Sequence, residues 1–276
     1  SEDDVVMGDV TRLEDAIVEL DEAYHPKVIF VVGSSIASVI GTDIKGVCNY
    51  MQERVQARLV CFDQGGFRGD YSLGCQAVWS LLAQEFPKVG DVQENVYNLV
   101  GVSAGSYRMR SDVWEIQNLM SEAFHMTLGT SFCVDTNVEA LEQAGSARLN
   151  LVLREEAREA AEILEHRCGT PWVFGMPYGY QVTLDWLREI GTVLGREPEP
   201  HVISRLREKA MKSAMYQMYS RMLKQDKAGA VLVGEYHTLA GLGTFLSGMG
   251  IPVESSLCLH SLRCVKEPQE PIRHPD

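Results

Sequence analysis

The chain has 276 residues, a formal net charge of −13 and a sequence pI near 5.0. This length suffices for two or three α/β domains, since single domains usually hold roughly 100 to 200 residues. The acidic balance disfavours nucleic acid and anionic membrane surfaces as partners, and no uninterrupted run of about 18 apolar residues predicts a membrane span.

The cysteines and the first residues indicate a cytoplasmic protein. Seven cysteines occur without a CxxC pair, so neither a zinc ribbon nor a thioredoxin motif is predicted. We expect most of them to be small buried hydrophobes in a reducing compartment. The start, Ser-Glu-Asp-Asp, is acidic where a signal peptide is basic. The sequence contains no Walker A motif, so no nucleotide cofactor is expected.

The first predicted elements are a helix from Thr11 to Tyr24 and a strand from Val28 to Val32. The strand is too apolar to alternate, which is typical of a parallel strand buried on both faces. Gly33, Ser34 and Ser35 follow at its carboxyl end. Small residues there either let a ligand or partner approach the backbone or form a plain turn into the next helix.

Strands and helices alternate along the rest of the chain. The predicted strands lie at 58–62, 95–102, 132–134, 149–153, 172–174, 228–233 and 252–255. A long helix from Val202 to about Lys224 carries a row of methionines, which we interpret as a core stripe, with a Met-rich binding groove as the alternative. His237, after the strand at 228–233, is expected in a surface loop.

This alternation predicts an α/β fold with two to three Rossmann-like parallel-sheet domains. We place the first domain at residues 1–90 and the second at 91–195. Residues 196–276 form a long helix and a partial third domain. The Pro-containing segment at 195–201 is the clearest linker.

Several motifs resemble one family in collinear order. Ser34 to Ile44, which ends in Ile-Gly-Thr-Asp-Ile, resembles the cluster-binding loop of the nitrogenase component 1 family. Met7 to Leu13 resembles its Phe-Gly-Gly-x-x-x-Leu element, and Gly66-Phe67-Arg68-Gly69 with Ser72-Leu73-Gly74 resembles its Gly-Phe-Arg-Gly and Ser-Leu-Gly motif. The segments 147–153, 169–172 and 183–187 match the second-domain pattern.

The resemblance implies a redox protein that is served by a separate ATPase. The family includes nitrogenase subunits, cofactor-assembly scaffolds, dark protochlorophyllide and chlorophyllide reductases, and a nickel-tetrapyrrole reductive cyclase. Its members are longer than this chain, which is therefore expected to be truncated at both ends or to be the ordered part of a longer protein.

The family's functional positions carry different residues here. The cluster cysteine falls on Ser35, and the cysteine that anchors the metal cofactor aligns with Arg154. A serine hydroxyl is a poor iron ligand and a guanidinium is none, so Cys61, at the end of the adjacent strand, is the best thiolate candidate for a metal. Cys75 aligns with a proton-donating histidine and is either a proton donor or a buried structural thiol.

The expected site is a crevice between domains. Arg68 and Cys75 are its candidate catalytic residues, while Ser35, Gly66, Gly69 and Arg154 are the candidate cofactor-binding residues. Arg154 either receives an anionic ligand or is an exposed helix-capping arginine paired with Glu155 or Glu159. Ser35 and Cys61 are the candidate metal ligands.

These features favour a subunit of a nitrogenase-like oxidoreductase that acts on a tetrapyrrole or metal-cofactor-like substrate. By resemblance, its electrons come from a P-loop iron–sulfur reductase, its partner is a homologous or identical component 1 subunit, and any iron–sulfur cluster is shared with that subunit. The alternative is a non-catalytic cofactor-binding or scaffold protein that has lost its cluster ligands.

Overall fold

The computed structural model describes residues 10–63, 69–223, 229–266 and 272–273, and the chain forms two compact units, Ser1–Val78 and Trp79–Asp276. Every strand pair in this described part is parallel. The fold is therefore α/β with parallel sheets, as the alternation of strands and helices predicted.

The first unit contains a two-stranded sheet and its helices. Strands β1 and β2 pair from Val28 opposite Arg58 to Val32 opposite Phe62. The strands are β1 (Val28–Val32) and β2 (Arg58–Phe62). The helices are α1 (Thr11–Tyr24), α2 (Ser35–Val39), α3 (Ile44–Met51) and α4 (Tyr71–Glu85), of which α4 continues into the second unit.

A small core holds the first unit together. Buried side chains of α1, β1 and α3, including Ile17, Val31 and Met51, pack against one another. The carboxylate of Asp21 accepts hydrogen bonds from the backbone N–H groups of Gln56 and Ala57, which fixes the turn before β2. These two hydrogen bonds hold the pKa of Asp21 below its usual value.

The second unit begins with a four-stranded sheet in the order β4-β3-β5-β6. The strands are β3 (Gln93–Val100), β4 (Thr127–Phe132), β5 (Ala147–Val152) and β6 (Trp172–Phe174). The helices between and after them are α5 (Met109–Phe124), α6 (Val138–Gln143), α7 (Arg158–Cys168) and α8 (Tyr180–Leu194). Tyr97, Leu149 and Leu151 are fully buried in its largest hydrophobic core.

A three-stranded sheet, in the order β7-β8-β9, completes the second unit. Its strands are β7 (Ala230–Gly234), β8 (Val253–Cys258) and β9 (Ile272–Arg273). The helices are α9 (Pro200–Leu223) before β7 and α10 (Tyr236–Gly248) after it. Each of the three sheets lies within one of the segments 1–90, 91–195 and 196–276, and the division into three domains stays a prediction.

Two local expectations differ from the structure. The strand expected at 132–134 runs from Thr127 to Phe132, because the residues before Phe132 contain no apolar run that would mark a strand. The core-stripe interpretation is wrong for Met211 and Met215, whose side chains are 61% and 50% exposed. Among the described side chains of α9, those of Val202 and Leu206 are buried in the core.

Within the part of the chain that is described, no helix has the length and apolar character needed to cross a membrane.

Candidate functional site

A cavity of about 1060 Å³ lies in the second unit, at the carboxyl ends of five parallel strands. Its lining includes residues that directly follow β3, β5, β6, β7 and β8. These residues are Ser103, Arg154, Met176, Glu235 and Leu259. Ligand sites in proteins usually occupy roughly 300 to 1,000 Å³, so this cavity is large enough for a bulky organic molecule.

The strand order explains why the cavity is there. The chain passes from β3 to β4 on one side of the sheet and then to β5 on the other side of β3. Such a reversal separates the loops that follow β3 and β5, which leaves a crevice at their carboxyl ends. Gly101, with φ +95°, ends β3, and a side chain there would crowd Ala157 and the backbone of Arg154. The glycine therefore allows the first residue after β3 to pack against the start of the loop after β5.

Arg154 lies at the base of this cavity and is only 3% exposed. Its Nη1 donates a hydrogen bond to Ser106 Oγ at 2.8 Å, and its Nη2 donates to Glu235 at 3.0 Å. The Nη2 group also lies 3.5 Å from the carboxylate of Glu156, which is equally buried. A buried guanidinium requires such partners. Arg154 is thus a buried cross-link between β5 and β7, and the alternative of an exposed capping arginine is wrong.

Two histidines adjoin this ion-pair cluster. His260 is buried, accepts the backbone N–H of Tyr236 at Nε2 and lies with Nδ1 3.0 Å from the carbonyl of Ser261. Nδ1 therefore donates to this carbonyl, while Nε2 accepts. Burial lowers the pKa of His237 to about 3, with a further contribution from the Arg154 charge. His237 is therefore neutral at physiological pH.

The expectation that His237 occupies a surface loop is wrong. Its side chain is 12% exposed and lines the cavity. The residue follows β7 by three positions, so the carboxyl end of a parallel strand places it at the site. The same rule would have pointed to Ser106, Tyr178 and Glu235, each of which comes a few residues after a parallel strand.

The rim and the walls of the cavity differ in character. The exposed cations Arg108, Arg205 and Lys209 line the rim together with the exposed carboxylates of Glu115 and Glu122, and Glu122 pairs with Arg205. The walls are mainly apolar and aromatic. They include Met109, Val113, Leu119, Met176, Tyr178 and Leu242. Such a lining suits a large, mainly apolar molecule that carries charged groups at its edge.

The loop after β1 in the first unit is stabilised by its own side chains. Ser34 Oγ accepts the N–H of Ala37 and caps α2, and Asp43 accepts the N–H of Gly46 and caps α3. A Cβ at Gly33 would lie 3.0 Å from Ile44 and 3.2 Å from Asp63. Ile44 and Asp63 therefore pack closely against Gly33, so the chain itself fills the space that the small residue leaves. Ser35 is exposed in the first turn of α2.

The candidate thiols of the first unit are Cys61 and Cys75, and both are half-buried. Cys61, in β2, hydrogen-bonds with the buried thiol of Cys48 in α3. Burial raises the pKa of Cys48 to about 11 and also raises that of Cys61, to which the nearby Asp63 charge contributes. Both groups are therefore protonated thiols at neutral pH.

The predicted site residues fall into both units. Ser35, Cys61, Gly69 and Cys75 belong to the first unit and Arg154 to the second. Gly66 and Arg68, like the Met7–Asp9 part of the first motif, lie outside the described residues. The role of each residue in binding or catalysis stays a prediction.

The donor set does not fit an iron–sulfur cluster held by this chain alone. Among the described residues, no three His, Cys, Asp or Glu side chains converge into a metal-binding group. Cluster ligation needs several thiolates, whereas Cys48 and Cys61 have raised pKa values and Ser35 offers an alcohol. We derive no reaction step through such a cluster.

The fold and the cavity define a parallel α/β protein with a large cavity at the carboxyl ends of its strands. The family model for nitrogenase component 1 type oxidoreductases matches residues 1–269. The chain belongs to this family, as its motifs predicted.

Relatives and solved structures agree with this assignment. The chain is 26% identical, over 88% of its length, to the nitrogenase iron-molybdenum cofactor biosynthesis protein NifE of Clostridium pasteurianum, of which it covers 53%. It is also 26% identical, over 68% of its length, to the nitrogenase molybdenum-iron protein alpha chain of the same organism, of which it covers 35%. The solved structure "Nitrogenase Cp1 at pH 5" superposes with a TM-score of 0.74 and 21% identity, covering all of this chain and 55% of that one.

The chain spans about half the length of these relatives or less. The comparisons therefore establish the family and the fold.

Proposed function

We propose that the chain binds a tetrapyrrole or a metal-cofactor-like molecule in the 1060 Å³ cavity of the second unit. The observation that carries this proposal is the position of the cavity at the carboxyl ends of five parallel strands, where α/β proteins bind ligands. Its apolar walls would hold the body of the ligand, and Arg108, Arg205 and Lys209 at the rim would meet its carboxylates.

Arg154 acts in this proposal as a positioning residue. Its guanidinium already binds the carboxylates of Glu156 and Glu235, so it holds the loops after β5 and β7 in place beneath the ligand. In this proposal the anion-binding role expected for Arg154 belongs mainly to Arg108 and Lys209, which line the rim and are exposed.

The wider role we propose is that of a subunit of a nitrogenase-like oxidoreductase. An ATP-dependent iron–sulfur reductase would supply electrons for reduction of the bound molecule. Catalytic roles for Cys75 and Arg68, and cofactor-binding roles for Ser35, Gly66 and Gly69, stay separate predictions for residues 1–78. The family and the α/β fold support this role.

A non-catalytic scaffold is the second candidate. It is supported by the relatives named as cofactor biosynthesis proteins and by the serine and arginine at positions where the family carries cysteines. In this case the chain binds the same class of molecule and passes it on unchanged.

A component 1 subunit is the proposed partner. The first unit carries exposed apolar side chains on β1 and α2, among them Val32, Ile36 and Val39 at 65%, 61% and 70% exposure. Exposed apolar groups of this kind are typical of protein contact surfaces. Light scattering of the purified chain, alone and with a homologous subunit, would measure the assembly.

The binding proposal is tested by titrating the chain with protoporphyrin IX and following quenching of tryptophan fluorescence. Leu242 lines the cavity on α10, whereas Leu246, one turn later, does not line it. We expect Leu242→Trp to weaken binding by about tenfold or more, because the larger ring fills the cavity, and Leu246→Trp to change it by less than about twofold. Absence of binding, or equal effects of both variants, would overturn the proposal.

A second experiment separates the oxidoreductase from the scaffold. The porphyrin-loaded chain is incubated anaerobically with ATP and a P-loop iron–sulfur reductase from the same genome. A change in the visible spectrum of the porphyrin that requires both ATP and the reductase supports the oxidoreductase. An unchanged spectrum supports the scaffold.

A further inference from the structure

A second cavity, of about 540 Å³, adjoins the first one in the second unit. It is lined from α10 by Ala240, Gly241 and Thr244 and from the other side by Arg158 and Phe174. Four side chains line both cavities and therefore form the wall between them. They are Leu153, Met176, Tyr178 and His237.

Tyr178 is the largest of these four side chains, and α10 holds it in place. Its hydroxyl group shares a hydrogen bond with the side chain of Thr238. Its ring packs on the backbone of α10 at Gly241, where a Cβ would overlap the ring atoms Cδ2, Cε2 and Cγ. A glycine at 241 is thus required for the ring to lie against the helix.

Glycines on both sides of Tyr178 set the shape of its loop. Gly175 and Gly179 have φ values of +137° and +77°, which other residues rarely adopt. The backbone carbonyl of Gly179 also accepts a hydrogen bond from Thr183 Oγ1 at 2.7 Å. The loop is therefore fixed at its end by α8 and presents Tyr178 to α10.

We propose that Tyr178 is a specificity-determining residue that separates the two cavities and limits the size of the bound molecule. This inference rests on the proposed binding function of the larger cavity. With the ring against Gly241, a ligand occupies only the 1060 Å³ cavity. Without the ring, the 540 Å³ cavity becomes an extension of the same site and admits bulkier substituents.

The test compares two porphyrins of different size. Dissociation constants are measured for protoporphyrin IX and for the bulkier tetraphenylporphine tetrasulfonate, and their ratio describes the size preference. We expect Tyr178→Ala to shift this ratio toward the bulkier porphyrin by roughly tenfold, because the joined cavities accept its phenyl groups. Tyr178→Phe retains the ring and is expected to keep the ratio within about twofold of the original.

A pair of glycine variants tests the same wall from the helix side. In Gly241→Ala the new methyl group displaces the tyrosine ring, so the ratio is expected to change by roughly threefold or more. Gly243→Ala is the matched control, since a Cβ at 243 meets no atom within 4 Å in the same helix. This pair remains informative if Tyr178→Ala fails to fold.

The outcomes distinguish the inference from the function on which it rests. If protoporphyrin IX binds but the ratio of dissociation constants is the same in the original chain, Tyr178→Ala and Gly241→Ala, the separating role of Tyr178 is overturned. The binding proposal then stands. Failure of the original chain to bind either porphyrin would overturn the binding proposal and the inference with it. A shifted ratio in Gly241→Ala but not in Gly243→Ala supports the inference.

Discussion

The loop after β1 in the first unit and the cavity of the second unit show opposite relations between motif and site. The loop carries the more recognisable motif, yet its polar groups cap its own helices, and its neighbouring thiols have raised pKa values. The cavity carries weaker sequence signals, yet it brings together the carboxyl ends of five parallel strands. A motif identifies a family, whereas a binding site depends on which strand ends the topology places together.

The strongest expected effect concerns the ion-pair cluster beneath the cavity. Arg154→Met leaves the carboxylate of Glu156 buried without the Arg154 guanidinium, which should lower the free energy of unfolding by about 3–5 kcal/mol. Urea unfolding measures the change. The double variant Arg154→Met, Glu156→Leu should recover most of the loss. A single-variant loss below about 1 kcal/mol would show that the cluster contributes little to the second unit.

The two units are also expected to respond differently to truncation of apolar strand residues. Leu151→Ala, in the fully buried β5, should cost about 3 kcal/mol because it leaves a cavity in the largest core. Val32→Ala, in β1, should change stability by less than about 0.5 kcal/mol, since that side chain is 65% exposed. Unfolding measurements that gave equal losses would mean that β1 is covered in solution.

Restoring the family's cysteine at position 35 tests whether the first unit can hold iron. Ser35→Cys adds an exposed thiol, which should react with Ellman's reagent at pH 8 roughly a hundredfold faster than Cys48. The exposed Cys133 provides an internal reference for a fast thiol. Anaerobic reconstitution should leave the iron content of the isolated variant unchanged. Stoichiometric iron in Ser35→Cys would contradict the ligand-poor character of this unit.

The smallest expected effect is the pH dependence that Asp21 gives to the first unit. Because its folded pKa is lowered, its hydrogen bonds stabilise the fold above its unfolded pKa of about 3.8 and lose that contribution as the pH falls through the folded pKa. Asp21→Asn should therefore be less stable than the original chain at pH 7, and the difference should shrink below about pH 4. Thermal unfolding of both proteins across this range is the measurement. A constant difference would refute the assignment.

The fold could be read from the sequence wherever apolar periodicity is strong. The strands at 28–32, 58–62 and 172–174 match the structure residue for residue, as does the helix at 11–24. Apolar periodicity did not predict strands that are polar or short. Five of the six residues of β4 were missed because Thr127 to Ser131 contains no apolar run, and β9 was missed because two residues beside prolines show no period.

The candidate site was less predictable than the fold. The resemblance singled out Arg154, which does line the cavity, but the identity of its partners depends on contacts between segments about 50 and 80 residues apart. Ser106 and Glu235 carry no local pattern that would reveal such pairing. His237 was assigned to the surface because a histidine after a strand is commonly exposed, while its burial depends on the packing of α10 beside Arg154.

Hydrogen–deuterium exchange with and without protoporphyrin IX tests most directly whether the ligand binds in the second unit. We expect the ligand to slow exchange in the segments 101–109, 176–180 and 234–238, which surround the cavity, and to leave the segment 33–44 unchanged. Slowed exchange confined to residues 33–44, with the cavity segments unaffected, would contradict the placement of the site in the second unit.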